Sequence, residues 1–365
     1  MMRIALAVLL GLHGLIHLLG PAKAFGWAGV SQLQTPISPG NGLLWLATAV
    51  VLIAAAVGLA LHAPWWGYLA LAGVLLSQGL IGMAWADAKI GTVANVIIAI
   101  PLLVTALDAR PSSFRSRFEH DRNTLLARAT LAAPLVTEAD LAPLPPLMRT
   151  YLRRMGAVGR ARVRNMRVTF KAQMRGSPTA RWMQATATQY EFFEQPARLF
   201  HMNAYRAGLP FDVFHRYVDG AATFQVRVVG LLPIVDKNGP AITNDETVTL
   251  MNDVLVMAPA AVLELPFSFE PLSERSVRAT FRHAGFTVSA VLTFDDAGDL
   301  VGFVSNDRAH DREGGAAAWS TPISGYRRLG GIRIGALGEA NWIEPSGEWT
   351  YGRFEITSIA YNVTP

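Results

Sequence analysis

The stretch GTVANVIIAIPLLVTALDARPSSFRSRFEHDRNTLLAR, residues 91–128, holds the boundary that decides the fold. Residues 91–107 form an apolar run without a single charge. The segment that follows carries Arg110, Arg115, Arg117, Arg122 and Arg128. Upstream of this boundary lie three more apolar runs, roughly 4–20, 43–61 and 65–85. Up to residue 108 the only formal charges are Arg3, Lys23, Asp87, Lys89 and Asp108. Each run approaches the ~20 residues that cross a bilayer core. The chain of 365 residues therefore reads as a four-helix membrane region, 1–108, followed by a large charged domain. The shortest run, 4–20, also fits a signal peptide, with Met1–Arg3 as a basic start and Ala22-Lys23-Ala24 as a cleavage site. A retained first helix is the simpler reading, because three spans follow it.

Hydrophobic residues make up 51% of the chain, and the excess is N-terminal. Trp27, Trp45, Trp65, Trp66 and Trp85 fall near proposed span ends, where indole favours the interface. Pro101 sits inside the fourth run and predicts a kink. Cysteine is absent, which excludes disulfides, thiolate catalysis and Cys-ligated metals.

The net charge of +5 is unevenly spread. From Arg110 to Arg175 there are fourteen Arg and Lys against four Asp and Glu. Basic segments beside a span favour the cytoplasmic side, both by the positive-inside rule and by attraction to anionic lipid. With four spans, both chain ends then face the cytoplasm, and the protein is a multi-pass protein of the cell (inner) membrane. Lys23 and Lys89 fall on the outside in this arrangement. Residues 111–130 read as an Arg-rich helix along the membrane surface, with Arg110, Arg115, Arg117 and Arg122 meeting lipid headgroups. No aromatic-interleaved motif supports nucleic-acid binding.

Residues 109–160 form a basic, helical connector. Its second helix, Leu141 to Met155, starts at Pro145-Pro146 and stops at Gly156. From about 161 the pattern turns to period two. Met166, Val168, Phe170, Ala172 and Met174 alternate with polar neighbours, as do Phe286, Val288, Ala290, Leu292 and Phe294. Phe224 to Val228, Val277 to Phe281 and Phe354 to Ala360 repeat this signature, and Asp295 to Asp299 is a hairpin turn. Roughly ten or eleven strands are expected. One helix, Thr243 to Met257, interrupts them, with a short second helix through Leu263. The expected fold is a membrane α bundle followed by a curved, mainly antiparallel sheet or half-barrel, 161–365, with a helical insertion.

Several residue groups are candidates for chemistry. His13 and His17 share one face of the first span, where ionisable groups raise a functional hypothesis. They can ligate a metal, hold a haem edge or relay protons, or they can hydrogen-bond across the bundle to Gln78 and Asn95. No third ligand or haem-attachment motif is visible. Asp87 to Thr92 reads as an interfacial loop. His201, Tyr205, His215, Arg216, Tyr217 and Asp219 cluster in sequence, as do Asn244, Asp245, Glu246, Asn252 and Asp253. Acids and imidazoles are what acid–base catalysis requires, and caps and turns also use them. No metalloprotease, nucleophile-elbow, EF-hand or phosphate-loop signature is present. A curved sheet can wrap an apolar cavity. Phe192, Phe200, Met202, Phe214, Trp319 and Trp342 are the candidate ligand-binding residues, with Phe193, Phe211 and Trp349 beside them.

Tyr151-Leu152-Arg153-Arg154-Met155-Gly156 with Gly159, Gln189-Tyr190 with Pro196-Ala197-Arg198, Asp236 with Gly239-Pro240, and Tyr351-Gly352-Arg353-Phe354 carry a family likeness. Over roughly 145–362 the chain resembles an uncharacterised bacterial family of membrane proteins with a domain of unknown function. That family has no agreed catalytic residues to carry over. The order of strands and helix is also similar in architecture to the half-barrels of bacterial lipoprotein carriers, which hold acyl chains under a helical lid. Aromatic-rich strands beside a basic membrane junction point to a membrane-anchored binder or transfer protein of a lipid or other apolar ligand, with no cofactor expected. Two readings compete with it: a metal- or haem-dependent membrane enzyme using His13 and His17, and a scaffold whose sheet edge binds a protein. The sequence carries no signal for oligomeric state.

Overall fold

A computed structural model describes residues 2–129, 133–206, 209–308 and 318–365. The chain divides into two compact units, Met1–Ala109 and Arg110–Pro365.

The first unit is helical: α1 (Met2–His17), α2 (Leu19–Ala24), α3 (Pro39–Ala60), α4 (Trp66–Met83), α5 (Trp85–Ala88) and α6 (Gly91–Asp108). Four segments are long and apolar enough to cross a membrane: Arg3–Ala24, Pro39–Ala60, Trp66–Met83 and Gly91–Asp108. Ser38 caps α3 by accepting from the Asn41 N–H, and Pro39 occupies its first turn, the position proline tolerates best. Leu10, Leu52, Ala55, Ala70, Val74 and Ile98 pack in the bundle centre, while residues such as Ile4, Val50, Leu75 and Ile100 face outward. That pattern suits lipid, which accepts apolar side chains on a helix exterior.

The second unit opens with α7 (Phe114–Arg128), α8 (Glu138–Leu141) and α9 (Pro146–Met155). Gly156 ends α9 at φ +79°, the left-handed stop its position predicts. Thirteen strands follow: β1 (Asn165–Met174), β2 (Met183–Phe192), β3 (Ala197–Arg206), β4 (Leu209–Val218), β5 (Ala221–Val228), β6 (Leu232–Asn238), β7 (Phe267–Ser273), β8 (Ser276–His283), β9 (Phe286–Phe294), β10 (Leu300–Ser305), β11 (Ala318–Leu329), β12 (Ile332–Glu344) and β13 (Gly347–Tyr361). Between β6 and β7 lie α10 (Pro240–Met257) and a 3₁₀ turn, Pro259–Leu263.

All strands form one antiparallel sheet in the order β6-β5-β4-β3-β2-β1-β13-β12-β11-β10-β9-β8-β7. Two meanders are thus joined where the first strand pairs with the last, and β6 and β7 are left as edges. Register shifts at Thr169/Phe170, Val226/Arg227, Pro271/Ser273 and Ala340/Asn341 interrupt the ladders. Irregularities of that kind bend strands, and a sheet this wide does not stay flat. The arms meet where Gly220 approaches Ala284. A Cβ on Gly220 would lie 2.7 Å from the Ala284 Cβ, and Gly220 also adopts φ +73°.

The sheet curls around α10. From Glu246 to Met257 every residue of this helix is buried. A helix hidden on all sides needs apolar residues all round, and Val248, Leu250, Met251, Val254, Leu255 and Val256 supply them. Its C-terminal carbonyls need partners. The Leu255 carbonyl cannot bond residue 259, because Pro259 has no N–H. The buried Tyr151 hydroxyl donates to it instead, at 2.9 Å. Tyr151→Phe is therefore expected to cost about 1–3 kcal/mol through an unpaired buried carbonyl. Urea unfolding of the full chain in detergent, followed by the β-sheet circular dichroism signal, checks this.

Nearly all of the connector segment 109–160 falls within the second unit. Phe114, Phe118, Leu125 and Leu126 of α7 pack against Tyr190, Phe192, Leu199 and Phe214 on the outer face of the sheet. The apolar side of α7 is thereby buried on protein. Of its four arginines, Arg115 and Arg128 are exposed, while Arg117 and Arg122 are half-buried. Arg117 donates to Gln225 Oε1 at 2.8 Å, and Arg110 to the Gly230 carbonyl at 3.0 Å.

Candidate functional site

Strand alternation decides which candidate residues can meet. In β3 and β4, Arg198, Phe200, Met202, Val213 and His215 face the concave side, towards α10. Leu199, His201, Phe214 and Arg216 face the convex side, under α7. Between sheet and helix lies a cavity of about 670 Å³. Phe200, Met202, Trp319 and Trp342 line it, as do Phe211 and Trp349. Phe192 and Phe214 do not. They sit in the cluster beneath α7, one strand position out of phase with the cavity wall. Phe193 is buried in the main core.

One wall of the cavity is charged. Glu191 on β2 lies directly across from Arg198 on β3. Glu246 and Asp253 are seven residues apart on α10 and so share a helix face. The Arg198 guanidinium donates to Asp253 Oδ2 at 2.7 Å, Glu246 Oε2 at 3.0 Å and Gln189 Oε1 at 3.3 Å. Gln189 in turn donates to Glu191 and Asp253 at 2.7 and 2.9 Å. His215 Nδ1 lies 2.7 Å from Glu246 Oε1, and its ring lies against Phe224, tilted by 31°, with centroids 4.3 Å apart. One buried cation thus faces three buried carboxyls, with a histidine at the edge.

Glu246 and Glu191 are shifted in opposite directions. Burial pushes Glu246 up, but His215 and Arg198 together outweigh it and hold its pKa down to about 2. Burial and then the Asp253 charge push Glu191 well up, beyond what Arg198 offsets, which favours its neutral form. The signs of linkage follow. Glu246 adds stability above its ordinary value near 4.5, which is lost as pH falls towards 2. Glu191 adds stability below its ordinary value, which is lost as pH rises through its raised folded value. Glu191→Gln keeps the neutral shape without the proton. Its melting temperature is expected to exceed that of the wild type by a margin that widens from pH 5 to pH 9. A parallel pair of curves would contradict this.

At the cavity rim, cations lie over aromatic rings. The Arg308 guanidinium is 4.5 Å from the Trp319 ring, and Arg175 is 4.5 Å from Trp182 and 6.0 Å from Trp349. Asn252 Nδ2 and Thr321 Oγ1 belong to residues that line the cavity. Both atoms are buried without a hydrogen-bond partner among the described residues.

The other candidates fall elsewhere. His201 pairs with Asp212 at 2.6 Å on the convex side, and Arg216 pairs with Asp121 at 2.8 Å. The sequence cluster at 201–219 is therefore split between two faces of the sheet. Asp87 accepts the backbone N–H groups of Gln34 and Thr35, which ties a loop down. In the bundle, His13 Nε2 lies 2.9 Å from Asn95 Oδ1 and 3.1 Å from Ser77 Oγ. Asn95 donates to Gln78, and Gln78 to Thr92. His17 Nδ1 is 2.9 Å from the His13 carbonyl. Among the described residues, no three His, Asp or Glu side chains are placed to hold one metal ion.

Apolar helices followed by a curved sheet enclosing a helix and a cavity define a membrane-type chain with a ligand-sized pocket. The chain belongs to DUF6544, a family of unknown function, whose sequence profile matches residues 134–354. Gln189 and Arg198 of the charged wall, and Tyr151 of the α10 anchor, are among the residues that carried the family likeness. No curated protein matches the chain. Two solved structures are similar to part of the chain. One is described as an outer membrane lipoprotein-sorting protein domain from Vibrio parahaemolyticus. It is 10% identical with a TM-score of 0.32, over 54% of this chain and 85% of that one. The other is a DUF1329 family protein from Desulfovibrio piger, 9% identical with a TM-score of 0.32, over 60% and 92%.

Proposed function

We propose that the protein is a membrane-anchored binder of an apolar amphiphile, a lipid or fatty acid, held in the β unit. The observation that carries this is the cavity of about 670 Å³ walled by Phe200, Met202, Phe224, Val226, Trp319 and Trp342. Its size lies within the ~300–1,000 Å³ range of small-molecule sites, and its walls are mostly apolar with a few polar groups. The unpartnered Asn252 Nδ2 donor supports a ligand with an acceptor group, such as a carbonyl or carboxylate. Arg308 and Arg175 at the rim support a negatively charged end.

The test is a titration of delipidated full-length protein in detergent with a fluorescent fatty acid. Saturable uptake of one probe per chain, displaced by phospholipid, is expected. No uptake above that of detergent alone would count against the reading. We also place the β unit on the cytoplasmic side, on the basic block after the fourth span. Because the chain lacks cysteine, Ser177→Cys provides a single reporter. An impermeant maleimide should label it only after the cells are opened.

A further inference from the structure

The second unit has one apolar surface that its own fold leaves uncovered. Nine large apolar residues are exposed among the described residues of 110–365, and five of them lie on two adjacent turns. They are Tyr205 and Leu209, flanking the β3–β4 turn, and Leu231, Leu232 and Ile234 at the β5–β6 turn. Their exposures are 53, 52, 46, 65 and 55%. Scattered single residues of this kind are ordinary, but a contiguous group marks a contact surface. The β5–β6 turn is tight: Val229 and Gly230 both adopt positive φ, at 54° and 65°. A β-branched residue rarely takes that conformation, so the neighbouring contacts hold it there. One is the Val229 N–H bond to the Pro210 carbonyl at 2.9 Å. Leu231 and Leu232 follow directly and lie in the open.

What covers this surface follows from the chain itself. Asp108 is the last residue of the fourth span-length helix, and Arg110 is two residues further on. Consecutive Cα atoms are 3.8 Å apart, so Arg110 lies within about 8 Å of that helix end. An 18-residue helix is about 27 Å long, enough to cross most of a hydrocarbon core. Arg110 is therefore at headgroup level, and its guanidinium donates to the carbonyl of Gly230, at the tip of the β5–β6 turn. Arg227, beside the same turn, donates to the Ser112 carbonyl. Both ends of the α6–α7 link are thus tied to this turn.

Charge fits the same surface. Arg110, Arg206 and Arg227 lie at the apolar tip. The nearby carboxylates are occupied: Asp212 by His201 and Asp236 by Gln225. Apolar tips ringed by Arg and Lys are what an anionic lipid surface takes up.

We infer that the β5–β6 turn and the adjoining start of β4 insert into the bilayer, with Leu209, Leu231, Leu232 and Ile234 as the immersed residues. Arg206 and Ile234 also line the cavity. This rim accordingly sets the cavity mouth against the lipid, and an apolar ligand passes between membrane and cavity without crossing water. The insertion itself stands whether or not the cavity holds a lipid.

The absence of cysteine allows a clean test on the full chain. Leu232→Cys is labelled with a polarity-sensitive fluorophore and reconstituted into vesicles of phosphatidylcholine and phosphatidylglycerol. Leu272→Cys, on edge strand β7 and 41% exposed, is the reference. At position 232 emission should shift to the blue and be strongly quenched by doxyl-labelled phospholipid, while aqueous iodide has little effect. At position 272 the pattern should be reversed. Iodide quenching at 232 without doxyl quenching would overturn the inference. So would protection from both quenchers, which would mean that a protein surface, such as a second copy of the chain, covers the turn. Repeating the measurement in a cavity-blocked variant separates this result from ligand binding, because insertion does not need an open cavity.

Discussion

Arg198→Met is expected to destabilise the β unit by about 3–5 kcal/mol, the cost of removing one partner from a buried ion cluster. Folded domains have only about 5–15 kcal/mol in total, so this is a large share. The reason is specific to the site. Methionine matches the length of the arginine stem but leaves Glu246 and Asp253 facing each other in a closed wall. The hydrogen bond from His215 to Glu246 compensates for only one of them. Neutralising the carboxyls as well, in the triple variant Arg198→Met, Glu246→Gln and Asp253→Asn, should recover much of the loss. Urea unfolding of the full chain in detergent reads both effects. If the single and triple variants are equally unstable, Arg198 acts by packing and not by charge.

Gly338→Phe should abolish ligand retention while leaving the fold intact. Gly338 lines the cavity on β12, and its φ is not in the left-handed region. A Cβ there would meet only the Thr321 Cγ2 at 3.8 Å and the Pro322 carbonyl at 4.0 Å, both ordinary contacts. The ring then enters empty space and not packed atoms, so the 1–3 kcal/mol typical of overpacking, roughly, is avoided. A phenyl group in the cavity removes volume and apolar wall together. Loss of even 1.4 kcal/mol of binding is a factor of about ten in affinity. Fluorescent fatty-acid uptake should fall at least that far, with the melting curve unchanged. Full uptake by a well-folded Gly338→Phe protein would move the binding site elsewhere.

The four spans, the period-two strands and the helix inserted at Thr243 to Met257 were legible because each depends on local hydrophobic period. Charge-free runs of membrane length and strict alternation, as at 166–174, carry that information directly. The cavity wall was half legible. Aromatic content flagged Phe200, Met202, Trp319 and Trp342, but it cannot say which face of a strand points inward. Phe214 and His215 are neighbours, yet one lies under α7 and the other lines the cavity. The phase depends on what covers the convex side, and the Arg-rich sequence of α7 reads as a membrane-surface helix and not as a cover for the sheet.

The charged wall escaped for a related reason. Glu246 and Asp253 resemble helix-surface residues until α10 is known to be enclosed. Gln189 and Glu191 share a parity with each other, as Arg198 does with Phe200. That alternation was the available signal, since polar residues on the inner phase of adjacent strands suggest a buried cluster. Gly230-Leu231-Leu232-Pro233 is turn chemistry in the sequence, but whether other parts of the chain cover its two leucines depends on the tertiary fold.

The most direct test of the account is native mass spectrometry of the full-length protein extracted in mild detergent, with lipid extraction of the same sample. One amphiphile per chain is predicted, retained by the wild type and absent from Gly338→Phe. A wild-type protein that is bare, or one whose bound lipid is unchanged by Gly338→Phe, would contradict lipid binding in the β-unit cavity.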